Sequence, residues 1–191
     1  MNNIAFKHPQ LNDLFGDNQG IKPGEFWLVS SIPRFTAAET LSSLMVSLPQ
    51  ELTNVANYEV GLEPVQFVED VLNDAPFGSD IKVVGLTGLQ HLPRSTVRNI
   101  TRLLRAEFAK EQIAVLAYLP LDESILQLEK ENPILWPTRV FGHNYYAAEP
   151  GIVFEADGEL LVCPDILGTS VFRGKHRGID NGETRARISY I

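Results

Sequence analysis

Two patterns in this chain are spaced for chemistry on phosphate groups. The first is Ser31-Ile32-Pro33-Arg34-Phe35-Thr36-Ala37-Ala38, between an apolar run and a helical pattern. A strand that ends in a loop and then a helix is where a phosphate-binding loop of pattern G-x-x-x-x-G-K-[ST] sits. Its glycines let backbone N–H groups close around phosphate oxygens, and its lysine and hydroxyl hold charge and Mg²⁺. Here Ser31 and Thr36 stand at the two glycines, Ala37 at the lysine and Ala38 at the hydroxyl, so every required type is missing. Thr36 followed by Glu39 is instead a capping box, which satisfies the helix N-terminal donors that a phosphate site leaves open. The expectation is no nucleotide, no Mg²⁺ and no other cofactor at this loop.

The second pattern is basic. Arg94, Arg98, Arg102 and Arg105 follow spacings of four, four and three, which gathers them within about 80° on one side of a helix. Such a ridge suits nucleic-acid phosphates or an acidic partner surface; the plainer reading is a solvated helix flank. Arg173, Lys175, His176, Arg177, Arg185 and Arg187 gather near one glycine-containing hairpin. Long basic side chains on a loop are placed to contact phosphate or a partner, and the plainer reading is a hairpin paired with Asp180 and Glu183.

Other chemistries lack their residues. His8, His91, His143 and His176 show no H-x-x-x-H or acid-clustered spacing, and Cys163 has no second cysteine, so no metal site is expected. Neither a G-x-S-x-G elbow nor a G-x-G-x-x-G loop occurs, and no catalytic residue is assigned. Trp27, Trp136, Tyr145 and Tyr146 are expected to pack rather than stack on bases.

The elements that must position these residues follow from punctuation and period. Glu25–Ser31 after a Pro-Gly turn reads as a buried strand, and Thr36 opens a helix that ends before Pro49. Asn57–Leu62 reads as a short strand, Pro64 opens a helix, and residues 80–87 form a second buried strand. A long helix is expected over about Ser95–Glu111, then a third buried strand at Ile113–Leu119 and a short helix at Asp122–Glu131. After Pro137 come closely spaced strands: Arg139–Phe141, Tyr145–Ala147, Ile152–Phe154, Leu160–Cys163, Val171–Arg173 and Ala186–Ile191. This is an α/β layer sandwich whose sheet is extended by antiparallel strands. One domain over residues 1–191 is expected, with 1–19 as an N-terminal extension and 138–191 as a strand-rich C-terminal part.

The 191 residues carry 16 Lys+Arg against 24 Asp+Glu, a net charge of -8. Residues 1–93 hold four basic and eleven acidic side chains, residues 94–191 twelve and thirteen. A pI near 5.0 argues against tight nonspecific DNA binding by one copy, though basic stripes summed around an oligomer could achieve it. No apolar run approaches the ~20 residues of a membrane span. The start MNNIAFKHPQ lacks signal-peptide character and the cysteine is single, so a cytoplasmic protein is expected.

Gly20 to Val29 together with Pro33 resembles the ATPase domain of DnaB-type replicative helicases, within the RecA-like superfamily. There a Gly-x-x-Pro-Gly-Glu turn leads through a hydrophobic strand into a Pro-containing phosphate loop. The resemblance implies a RecA-like three-layer sandwich with a mostly parallel central sheet. It places Ile81–Val84 as the strand whose terminal aspartate organises Mg²⁺, with Gly85 at that acidic position. It places Ile113–Leu119 as the strand ending in a polar sensor, where Leu119-Pro120 stands instead. Lys175 and Arg177 match the basic K-x-R turn that reaches the nucleotide of a neighbouring subunit. The resemblance covers residues 20–48, 80–120 and 166–191. It implies a non-catalytic relative, a pseudoenzyme acting as accessory factor or inhibitor of a DNA replication or recombination ATPase. The alternative is a self-associating structural protein that binds DNA, single-stranded DNA among its candidate partners. A third is an enzyme with an unrecognised site.

Overall fold

The runs at 26–30, 83–86 and 114–118 have no polar face to give to water, so as strands they must be covered on both sides. The computed structural model describes residues 2–73, 81–132, 137, 141, 146, 150–165, 168–174 and 184–189. Its strands are β1 (Phe26–Ser30), β2 (Thr53–Asn57), β3 (Val83–Thr87), β4 (Ala114–Tyr118), β5 (Gly158–Asp165), β6 (Gly168–Arg173) and β7 (Arg185–Ser189). They form one sheet in the order β2-β3-β4-β1-β5-β6-β7. β2 through β5 pair in parallel, while β6 and β7 extend the sheet by antiparallel hairpin pairing.

Side chains alternate through this sheet into two apolar layers. Phe26, Leu28, Val84, Leu86, Val115, Ala117 and Leu161 face α3 (Pro64–Asn73), α4 (Arg94–Lys110) and the start of α5 (Ile125–Glu131). Trp27, Val29, Val83, Leu116 and Leu160 face α1 (Pro9–Asp13) and α2 (Ala37–Met45). Helix, sheet and helix make three layers, and each fully buried Leu or Phe contributes about 1.5–3 kcal/mol.

The segment read as an N-terminal extension belongs to the second layer. Leu11, Leu14, Phe15 and Ile21 are buried, and the Phe15 ring meets Trp27 edge-on at 4.9 Å. Asn12 imitates a strand neighbour: its Oδ1 accepts from the Phe6 N–H at 2.7 Å and its Nδ2 donates to the Phe6 carbonyl at 3.0 Å.

Three expected strands need correction. Residues 58–62 are not a strand. β2 lies earlier, at Thr53–Asn57, and the chain then turns as the buried Tyr58 donates its hydroxyl to the Leu62 carbonyl at 2.6 Å. Ile152–Phe154 lies in a 3-10 turn, Pro150–Glu155, which buries Ile152. The last strand begins one residue early, at Arg185. Tyr146 makes only an isolated bridge to Leu121; residues 139–140, 145 and 147 lie outside the described residues. Among the described residues no helix is long and apolar enough to cross a membrane.

Candidate functional site

The loop 31–36 leaves the sheet at the C-terminal end of β1, flanked by β4 and β5. All five residues of β1 are buried, which fixes where the loop emerges. From there the loop closes on itself. Ser31 and Ile32 are buried, and the Phe35 N–H donates to the Ile32 carbonyl at 3.0 Å. The Thr40 hydroxyl sits between Ser31 Oγ at 2.7 Å and the Thr36 carbonyl at 2.8 Å. From the end of β4 the Tyr118 hydroxyl donates to the Phe35 carbonyl at 3.3 Å. Arg34, the loop's one cation, donates through Nη1 and Nη2 to the Glu129 carboxylate at 3.3 and 3.0 Å. Its guanidinium lies 5.5 Å from the centre of the Phe35 ring.

The capping box forms as the sequence predicts. The Thr36 N–H donates to Glu39 Oε2 at 2.8 Å, and the Glu39 N–H donates to Thr36 Oγ1 at 3.2 Å. The backbone bond from Thr36, helped by its hydroxyl, holds the Glu39 carboxyl below its ordinary value. A carboxylate therefore takes one of the N-terminal donors of α2, the Thr36 N–H, that an anion would use. Among the described residues no group of His, Cys, Asp and Glu could hold a metal ion.

Gly85 does not stand at the end of its strand. It lies mid-β3, paired with Leu116, and a Cβ there would meet Met45 Sδ at 2.5 Å. An acid at this position would be buried under α2 rather than presented to the loop. The residue that ends β3 is Thr87, whose hydroxyl lies 2.6 Å from Asn57 Oδ1 at the end of β2. Likewise the polar group that β4 offers the loop is Tyr118; Leu119 is buried and donates its N–H to the Val29 carbonyl at 3.0 Å. Sequence reasoning missed both; the signal was one polar residue in an apolar strand.

The ridge on α4 is divided by its neighbours. Arg98 Nε donates to Glu155 at 2.6 Å, and Arg105 grips both oxygens of Asp157, with Nε at 3.1 Å. Both acids lie at the end of, or just after, the 3-10 turn on which α4 packs. Arg94 and Arg102 are exposed on the same helix.

The C-terminal arginines also separate. Arg173 is buried, its Nη1 donating to the Leu14 carbonyl at 2.6 Å, so it ties β6 to the N-terminal segment instead of presenting charge to a partner. Loss of water around it lowers its pKa. Arg185 and Arg187 are exposed on β7, Arg185 with its guanidinium 5.3 Å from the centre of the Phe172 ring. Lys175, His176 and Arg177 lie outside the described residues.

Within the sheet's first apolar layer is a buried polar pair. The Tyr146 hydroxyl donates to Glu159 Oε1 at 2.8 Å, and burial, then the nearby Glu159 charge, push the phenol well above its ordinary value.

No protein-family model matches the chain, and no curated protein matches it by sequence. Solved structures do. A DnaB-like replicative helicase, described with its interactions with primase, superposes over 99% of this chain at a TM-score of 0.69 and 12% identity. This chain covers 60% of that helicase chain. A second solved structure, of an ATPase domain, matches over 100% of this chain and 89% of its own, with TM-score 0.59 and 14% identity. A KaiC-like protein from the hyperthermophilic archaeon Pyrococcus horikoshii OT3 matches over 97% of this chain and 93% of its own, at 0.59 and 9%.

The fold is RecA-like. Within a RecA-like sheet, loop 31–36 occupies the strand-to-helix corner at which the resemblance places a phosphate loop, and its polar groups are turned on one another.

Proposed function

We propose that this chain is a non-catalytic RecA-like protein that acts as an accessory factor or inhibitor of a DNA replication or recombination ATPase. The observation that carries the reading is the closed corner at β1–α2. Thr36 and Glu39 saturate each other, Arg34 is held by Glu129, and Ala37 and Ala38 offer no charge or hydroxyl. A nucleotide arriving there would meet the Glu39 carboxylate in place of a lysine. In this reading the chain's own ATP chemistry is lost and the subunit surfaces of a helicase ATPase domain are retained. Lys175 and Arg177 then project into a partner subunit's ATP site and complete or block it.

Calorimetric titration with ATP and Mg²⁺ tests the first part. No heat of binding is expected, and micromolar affinity would sink the reading. For the second part, binding to a DnaB-type helicase should fall when Lys175→Ala and Arg177→Ala are combined; unchanged binding removes that role.

A second reading, a homo-oligomeric DNA-binding protein, is favoured by the exposure of Arg94 and Arg102 on one helix face. It requires oligomers whose single-stranded DNA affinity drops steeply with salt, and a strictly monomeric protein excludes it.

A further inference from the structure

We propose that the β2 edge of the sheet is a docking site for a partner protein that adds an extended strand flanked by basic residues. The inference does not depend on the state of loop 31–36.

Among the described residues β2 pairs only with β3. The Leu52 carbonyl accepts from the Lys82 N–H at 2.8 Å and the Tyr58 N–H donates to the Thr87 carbonyl at 2.9 Å, so the even-numbered residues bond inward. In a parallel ladder the alternate residues point the other way, which leaves the backbone groups of Val55 and Asn57 on the open side, while the Thr53 N–H is taken by the Gln50 carbonyl. The strand Thr53-Asn54-Val55-Ala56-Asn57 carries no charge and no proline, the usual devices that blunt an edge. The opposite edge has such protection: β7 exposes Arg185 and Arg187, and α1 packs against it.

Apolar surface is bare at this edge: Val55, in the middle of the strand, is 54% exposed. A groove of about 470 Å³, lined by Asn54, Ala56, Leu62, Phe67 and Val71, runs between β2 and α3. On the other face Val55 Cγ2 lies near Gly85 and Met45. An added strand would send alternate side chains into the groove and over Val55 while its backbone bonds the edge.

Charge selects the occupant. Residues 35–81 contain eight acidic residues and no Lys, Arg or His. Glu51 and Glu59 are exposed at the two ends of β2 and Asp70 lines the groove, with Lys82 a cation beside Leu52. The acidic excess disfavours a nucleic acid. A second copy is disfavoured as well, because antiparallel self-pairing centred on Val55 sets Glu51 opposite Glu59 twice, and like charges across a sheet destabilise it. A strand with cationic ends finds attraction at both ends of the site, which speeds encounter and makes binding salt-dependent.

The test titrates the full chain with a fluorescent peptide of alternating valine and threonine carrying a lysine pair at each end, beside the same peptide with glutamate pairs. The lysine-flanked peptide should bind saturably and at least about tenfold more tightly, about 1.4 kcal/mol. Amide exchange should slow at Val55 and Asn57. Val55→Pro removes an outward N–H without touching the β3 ladder and should abolish binding. Val55→Lys keeps every backbone donor, so it serves where proline disturbs the strand, and it should weaken binding about tenfold. No binding of the lysine-flanked peptide, equal binding of both peptides, or indifference to Val55→Lys overturns the proposal. A dimer that ignores the peptide and is broken by Val55→Lys also overturns it, assigning the edge to a second copy.

Discussion

Asp157 shows how one carboxylate joins three elements. It accepts from the Phe26 N–H at 2.9 Å, returns its own N–H to the Phe26 carbonyl at 2.8 Å, and receives Arg105 from α4. Strand β1 therefore begins on an acid that the helix holds in place. Asp157→Ala strands a buried backbone donor and a half-buried guanidinium and should lower stability by about 1–3 kcal/mol in urea denaturation. Arg98→Ala, whose partner contact is at the surface, should change stability by less than about 1 kcal/mol. Equal losses would mean that the two ion pairs do the same job. The spacing of the four arginines sets them on one side of α4. It could not show which had been claimed, because Glu155 and Asp157 arrive from 57 and 52 residues away. Periodicity reports what one element presents to its surroundings and is silent on long-range partners.

At the scale of elements, the buried strands were legible and the edge strand was not. β1, β3 and β4 are apolar nearly throughout because both faces are covered. β2, half in water, reads Thr-Asn-Val-Ala-Asn, so the more apolar residues of the following turn, Tyr58, Val60 and Leu62, drew the assignment forward. Helices announced themselves by capping and period, and α2 begins where Thr36 and Glu39 say. The corner at β1–α2 was legible for the same reason, since its chemistry is local. The level of Gly85 in β3 was not, because register is set by pairing with β4 rather than by β3 itself. This yields a prediction. If Gly85 were a lapsed catalytic position facing the loop, Gly85→Asp would be tolerated. Because the site faces Met45 in the apolar layer, Gly85→Asp should instead cost several kcal/mol, read as a lowered melting temperature. A variant as stable as the parent would show that the side chain at 85 reaches solvent at the loop.

For the whole molecule, the groups with displaced pKa values bound the pH range of stability from both sides. Glu39 and Asp122 are held below their ordinary 4.5 and 3.8 by backbone N–H groups of Thr36 and Ser124. Their contributions are complete above those values and are lost as pH falls through the lower folded ones. On the alkaline side burial, reinforced by Glu129, pushes the Cys163 thiol from 9.0 up to about 12, against the opposing pull of Arg34 and Arg185. Tyr58, Tyr118 and Tyr146 are raised above 10.0, mainly by burial. In the unfolded chain the thiol ionises near 9 while the folded one stays protonated. The unfolded state then binds fewer protons, and stability falls as pH rises from 9.0 toward 12. Urea midpoints measured across pH should accordingly be flat through neutrality and decline from about pH 9. In Cys163→Ser, whose hydroxyl does not titrate there, the decline should start later, near the tyrosine value of 10.0. Comparing this variant with the parent at neutral pH separates packing loss from proton linkage, since only linkage changes the slope. An unaltered alkaline slope would mean that the Cys163 thiol ionises as readily in the folded protein as in the unfolded chain.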